Sequence, residues 1–419
     1  MGGKRIVVLG AGVVGVTTAW YLARDGHEVT VIDRQPGPAR ETSFANAGLI
    51  APGHAYVWSS PRAPKILLAS LVRRDQALRL KLRADPRMWS WCLKFLRCCT
   101  AEQARRNTLT KLRLCIYSHE ALKALSQETG LDYDRRSGGL LYLYRDAASL
   151  DRGVAHMGIL AEGGRRLEVL DAAGVVRVDP ALAAAQASIA GAIYAPDDES
   201  GDCYKFTEGL AALCRARGVT FRYGTTVTGF VRTDGRVSQV ETSAGPVSGE
   251  LFVLALGSYA PLFTRRLGFG LPVYPVKGYS ATVPIAGRNG APTVGGVDEN
   301  NLVAYCRMGD RLRLTATAEF AGYDTRHRPA DFRAMLGAAR ALFPQGGDYD
   351  RATFWACLRP MTPEGTPILG PSPVPNLMLN TGHGHMGWTM ACGSARILAD
   401  LVAGRKPDID TAELMLESA

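Results

Sequence analysis

The hydrophobic positions change period along the chain, and the changes mark its elements. Ile6–Leu9 is an unbroken apolar run, the pattern of a parallel strand buried on both faces. Gly10, Gly12 and Gly15 follow, and a helical period then continues through Ala23 and stops at Gly26. A second buried strand, 28–32, ends in Asp33. Later the pattern predicts a helix over about 206–217, strands at 219–223 and 227–231, and a buried run at 251–256 that ends at Gly257. The order is strand–helix–strand, then a meander, then a return to the first sheet. In "NLVAYCR", alternation puts Val303, Tyr305 and Arg307 on one face. Near the end, "NTGHGHMGWTMACGS" carries four glycines and two histidines before turning helical near Gly387.

A length of 419 residues suits two domains, and 47% apolar with 21% charged residues is an ordinary globular composition. There is no apolar run of 18 residues, so no membrane-spanning helix is expected. "MGGKRIVVLGAG" does not read as a signal peptide. The nine cysteines show no CxxC spacing, which predicts reduced thiols in a cytoplasmic chain.

The net charge of +10 is uneven: residues 62–106 hold twelve Lys/Arg against three Asp/Glu, interleaved with Leu, Trp89, Trp91 and Phe95. This reads either as a solvated helical face or as a patch for an anionic membrane surface, peripheral on the cytoplasmic face of the inner membrane. No nucleic-acid motif accompanies it, so no nucleic-acid partner is expected.

The GxGxxG turn between strand and helix has a specific chemistry. Gly10 permits the turn, Gly12 lets a pyrophosphate approach the backbone, and Gly15 lets helix and strand pack closely. Asp33 is placed to accept from a ribose. This fits NAD and FAD alike. "ETSFANAGLIAPGHAY" then stays small and polar where a nicotinamide dehydrogenase proceeds into another helix, as though a long flat group passes against it.

The turn with Asp33, "ETSFANAGLIAPG", "DDESGDC", "VYPVKGYS", "FWACLRPMTPEGTPILG" and "NTGHGHMGWTMACGS" together resemble the FAD-dependent D-amino acid oxidoreductases, the family of D-amino acid oxidase and glycine oxidase, and most of all its bacterial dehydrogenase branch. The resemblance runs over essentially the whole chain. It implies a mixed α/β fold: a Rossmann-like FAD-binding domain (1–80, 150–265 and 355–419) and a substrate domain (81–149 and 266–354) built on a mainly antiparallel sheet plus helices. It implies oxidative deamination of a D-amino acid by hydride transfer from Cα to flavin N5, with a quinone-type electron acceptor. An oxidase of glycine, sarcosine or another secondary amine, or a flavoprotein subunit of a larger dehydrogenase, are the alternatives.

The resemblance also supplies site residues. FAD is expected against Gly10, Gly12, Val13, Val14, Gly15, Asp33, Arg34, Glu41, Thr42, Ser43, Ala47, Gly48, Leu49, Val227 and Gly257, and against the C-terminal turn His383, Gly384, His385, Met386, Gly387, Trp388 and Thr389. A helix starting near Gly387 aims its free N–H groups at that turn. His383 and His385 stand at i, i+2 without carboxylate or thiolate partners, a poor metal set, so no metal is expected. Arg359 in "LRP" is the residue that binds the substrate carboxylate in the family, and its planar fork suits that task. Tyr305 contacts substrate or is core. His54 sits over the flavin or on the surface. Tyr279 lines the pocket or packs. His385 stands where glycine oxidase-like relatives place an Arg, and Thr315-Ala316 where close relatives read Gly-Gly.

Overall fold

In the computed structural model, residues 2–72, 78–81, 83–285, 287 and 290–416 are described. Two large sheets organise them. The first runs 368–371, 377–381, 251–254, 5–9, 28–32, 220–222, parallel except for its 368–371 edge. Its first turn needs glycine: Gly10 has φ +107°, and a Cβ there would lie 2.5 Å from the Ala255 carbonyl oxygen. Gly15 meets the Gly10 carbonyl across the same turn, which brings the helix Val13–Arg24 onto the sheet. The helices Cys203–Ala216 and Gly387–Val402 cover the same face, with Trp20, Phe206 and Trp388 in their shared core. A meander, Val227–Thr233, Arg236–Thr242 and Val247–Ser248, packs on the opposite face.

The second sheet has nine strands and is mostly antiparallel. Its central strand, Tyr274–Pro284, pairs with Arg311–Phe320 on one side and Thr353–Met361 on the other. The long helix Ala101–Thr129 begins at Thr100, whose hydroxyl accepts the Gln103 N–H, and ends at Gly130 in the left-handed region. It packs against Gly387–Val402 at a close crossing, where Gly393 donates its N–H to Ser118 Oγ at 2.9 Å.

The expected boundaries at 150 and 355 do not follow the sheets. Glu168–Asp171, Gly191–Ala195 and Thr353–Met361 all pair within the second sheet, because 191–195 pairs with 140–144 and 353–361 with 274–282, each across an expected boundary. None of the nine cysteines is joined in a disulfide. Among the described residues, no helix is long and apolar enough to cross a membrane, and no cluster of potential ligands holds a metal. Part of the basic segment, residues 73–77 and 82, lies outside the described residues.

Candidate active site

One cavity of about 510 Å³ opens between the two sheets. It is lined by the first Gly-rich turn at one end and by the second sheet at the other, with the C-terminal turn between. The sequence brings these parts together by a small number of tethers. Thr42 and Ser258 both donate to the Leu358 carbonyl, at 2.9 and 3.0 Å. Gly384 N–H donates to the Pro360 carbonyl at 2.9 Å. The strand carrying Arg359 is therefore fastened to the loop 41–49, to the end of the strand 251–254, and to the C-terminal turn.

At the nucleotide end, Asp33 Oδ2 accepts the Ala11 N–H at 2.6 Å and Oδ1 accepts that of Gln35 at 2.8 Å. Burial pushes the Asp33 carboxyl up, and these two N–H groups oppose that shift. Ser43 Oγ accepts from Val13 N–H at 3.0 Å and so borders the start of the first helix. Arg34 pairs with Glu41 at 2.6 Å and lies over the Tyr259 ring, 4.1 Å from its centroid.

The start of the helix Gly387–Val402 has no side-chain cap although it is buried. A buried helix start without such a partner leaves its first N–H groups for a ligand. Trp388 Nε1, Asn380 Oδ1 and both ring nitrogens of His385 are likewise buried without a hydrogen-bond partner among the described residues, and all three residues line the cavity. Thr389 ties the other side of this turn down: its hydroxyl accepts from Ala51 N–H at 3.1 Å. These orphaned groups, the Gly-rich turn and a long cavity fit a dinucleotide with a flat, polar-edged ring system. FAD is such a group.

At the far end, Arg359 reaches across the glycine of the neighbouring strand. Its guanidinium lies where a Cβ on Gly278 would be, 2.6 Å from Cζ. Its Nη1 donates to the Thr317 carbonyl at 2.8 Å. No carboxylate pairs with it among the described residues, and burial pulls its pKa down. An unpaired, largely desolvated guanidinium is costly unless an anion completes it. Trp58 stacks on His385 at 4.9 Å and forms a wall beside it. Burial drives the His385 pKa far down, with Lys111, His54 and Arg359 adding to the effect, so its imidazole is neutral.

Of the catalytic and cofactor-binding residues named from sequence, all line this cavity except Gly15 and Tyr305. Gly15 serves the helix–strand packing. Tyr305 belongs to the core: it is 1% exposed and meets Phe343 edge-on at 4.9 Å. The correction comes from strand register. The cavity sees the other face of that strand, through Leu302 and Ala304, and alternation then sends Val303 and Tyr305 inward. Arg307 is held by the Gly309 carbonyl, outside the cavity. Tyr279 lines the cavity but spends its hydroxyl on Glu319 at 2.7 Å. His383 lines it too, with Nε2 3.0 Å from Ser394 Oγ, and burial lowers its pKa to about 3. Tyr56, Trp58 and Thr317 were not singled out from sequence. Trp58 stands two residues after "APGHAY", and that proximity was the available signal.

The family profile described as FAD dependent oxidoreductase matches residues 5–401, and the chain belongs to that family. It is 49% identical over 412 residues to a protein named D-amino acid dehydrogenase 2 from Mesorhizobium japonicum, covering 98% of this chain and 99% of the relative. It is 44% identical over 412 residues to D-amino acid dehydrogenase of Granulibacter bethesdensis, with the same coverage. Among solved structures, glycine oxidase from Geobacillus kaustophilus superposes with a TM-score of 0.74 at 23% identity, over 99% of each chain.

Proposed function

We infer that this protein is an FAD-dependent dehydrogenase that deaminates D-amino acids oxidatively, giving a keto acid and ammonia, or a cyclic imine. The carrying observation is the unpaired Arg359 guanidinium in the cavity that also holds the Gly-rich turn and the uncapped helix start. The relatives named above supply the substrate class.

The residues that would hold FAD are those lining the nucleotide end, Gly10, Gly12, Asp33, Arg34 and Ser43, with the turn His383–Thr389 beside the ring system. Bound FAD supplies a two-electron acceptor for the hydrogen on the substrate Cα. The chain supplies binding and orientation. Arg359 grips the carboxylate with two parallel hydrogen bonds and so fixes which side of Cα faces the acceptor. Thr317 and Gly278 fix Arg359. Tyr279, Trp58 and Leu302 give the side-chain end an apolar wall. The test is turnover of D-amino acids with an artificial dye acceptor, followed by keto acid release. Turnover with dye and without peroxide supports a dehydrogenase, and stoichiometric peroxide contradicts it.

The electron acceptor we assign is a quinone at an anionic membrane surface. The reading rests on the outer faces of the helices Ala63–Val72 and Pro86–Arg97. Ile66, Leu68, Trp89, Leu93 and Leu96 are exposed there, beside exposed Arg62, Lys65, Lys94 and Arg97. Apolar and basic groups on one face match the two parts of an anionic lipid surface. The inner faces pack through Trp91, whose Nε1 donates to the Met361 carbonyl at 2.9 Å. That carbonyl ends the strand Thr353–Met361, which also carries Arg359.

A further inference from the structure

A half-buried carboxylate, Glu299, stands behind His54. The turn Pro52–His54 is anchored by Asp198, whose two oxygens accept the Gly53 N–H at 2.8 and 3.1 Å. So held, His54 lines the cavity with Arg359. Its Nε2 lies 2.7 Å from Glu299 Oε1 and 2.7 Å from the Tyr56 hydroxyl. The Tyr142 ring stacks on the imidazole at 4.7 Å. Glu299 follows the strand Gly295–Asp298 and does not line the cavity. A carboxylate acceptor at Nε2 selects the tautomer with its proton on Nε2, which leaves the Nδ1 lone pair for a ligand.

We propose that His54 is the base that takes the ammonium proton of the amino acid, and that Glu299 is the residue that positions and charge-balances it. This rests on the reading above, in which Arg359 holds the carboxylate. In the step, an N–H bond of the ammonium breaks, its electron pair stays on nitrogen, and the proton joins His54 Nδ1. The positive charge moves to the imidazolium, against Glu299. No oxidation occurs in this transfer. It frees the lone pair that must form the C=N bond when Cα loses its hydrogen. The logic is that of a carboxylate–histidine pair in general-base catalysis.

The other titratable groups around the pair do not replace Glu299. Burial raises Tyr56, Tyr142 and Tyr144, so these stay neutral. His156 meets the Tyr56 ring at 4.5 Å, and burial lowers its pKa. Lys111 donates to the Tyr56 carbonyl at 3.3 Å, and burial lowers its pKa to about 8. Arg62 and His385 add positive or neutral groups nearby. Asp198 is occupied by Gly53, Tyr142 and Arg165.

The experiment is anaerobic stopped-flow reduction of the FAD-loaded enzyme by a D-amino acid across pH, for wild type, Glu299→Gln, Glu299→Asp and His54→Gln. At neutral pH the substrate arrives as an ammonium, and Glu299→Gln is expected to slow reduction by about tenfold or more. Above the pKa of the amine the substrate arrives neutral, and the deficit closes to within about threefold. His54→Gln shows the same closing, and Glu299→Asp falls between. A deficit of equal size at every pH marks a structural role and overturns the proposal, as does the absence of any deficit. If Glu299→Gln does not hold flavin, Glu299→Asp and His54→Gln carry the same comparison. Failure of wild type to be reduced by D-amino acids at any pH overturns the functional reading instead.

Discussion

The Arg359 guanidinium crosses the strand Tyr274–Pro284 above Gly278 and donates to the carbonyl of Thr317 on the strand beyond, 2.8 Å away. The pairing there is irregular: Gly278 faces Ala318 and Tyr279 faces Ala316, which leaves Thr317 as the extra residue. Thr317 has φ +61°, a conformation rarely adopted by a β-branched residue. The bulge turns a carbonyl toward Arg359 that a regular strand would spend on its neighbour.

Removing the guanidinium should therefore be felt in catalysis and not in cofactor binding. Arg359→Ala is expected to lower kcat/KM for the best D-amino acid by several kcal/mol, since each hydrogen bond to a charged group contributes about 1.5–3 kcal/mol. Arg359→Lys keeps charge without the fork and recovers only part. Gly278→Ser displaces the guanidinium and lowers kcat/KM by at least about tenfold, or 1.4 kcal/mol. All three should keep the flavin spectrum. A loss below tenfold in Arg359→Ala places the carboxylate elsewhere.

FAD is expected to be held without a covalent bond. The cysteine in the lining is Cys357, beside Arg359, and burial raises its thiol pKa, which keeps it a poor nucleophile. Cys392 is buried inside the C-terminal helix, and its thiol is also pushed up. Acid precipitation should release the yellow chromophore to the supernatant; a yellow pellet would refute this.

Much of this was legible in the sequence because the nucleotide end is local. Gly10, Gly12 and Asp33 lie within one strand–helix–strand unit, so spacing alone fixes their geometry. The substrate end is not local. Whether Tyr305 or Ala304 faces the cavity depends on the register of a strand whose partners are Gly295–Asp298 and Arg311–Phe320, and a one-residue error inverts the answer. Glu299 was invisible for the same reason, since it meets His54 across 245 residues. The domain boundary at 150 failed because strands 168–171 and 191–195 join the second sheet through 140–144 on its other side.

Acid should loosen the loop that carries His54. Glu199 pairs the strand 199–200 with 49–50 and accepts Arg135 at 2.7 and 2.6 Å, with His119 at 3.4 Å. Burial alone would raise its carboxyl, but hydrogen bonds and charge from its neighbours His119 and Arg135 hold it at about 2, below the ordinary 4.5. Its folded pKa is depressed, so its contribution is present above about pH 4.5 and is lost as pH falls through about 2. The size is on the order of 3 kcal/mol. Denaturant unfolding of wild type and Glu199→Gln should differ most at neutral pH and converge toward pH 2. A constant difference would contradict the assignment.

Membrane docking should depend on charge and on apolar insertion together. The protein is expected to float with vesicles containing anionic lipid at low salt and to release as ionic strength shortens the Debye length from about 10 Å at 0.1 M. The double variant Trp89→Ser, Leu93→Ser should weaken flotation without altering dye-linked turnover. Equal recovery with neutral and anionic vesicles at low salt would remove the patch.

The most direct measurement for the central claim is anaerobic titration of the FAD-loaded protein with matched D- and L-amino acids, followed at the flavin absorbance. D-amino acids are expected to bleach the flavin fully, their L-enantiomers to leave it oxidised, and Arg359→Ala to blunt the bleaching. A flavin untouched by every D-amino acid, or bleached equally by both enantiomers, would contradict it.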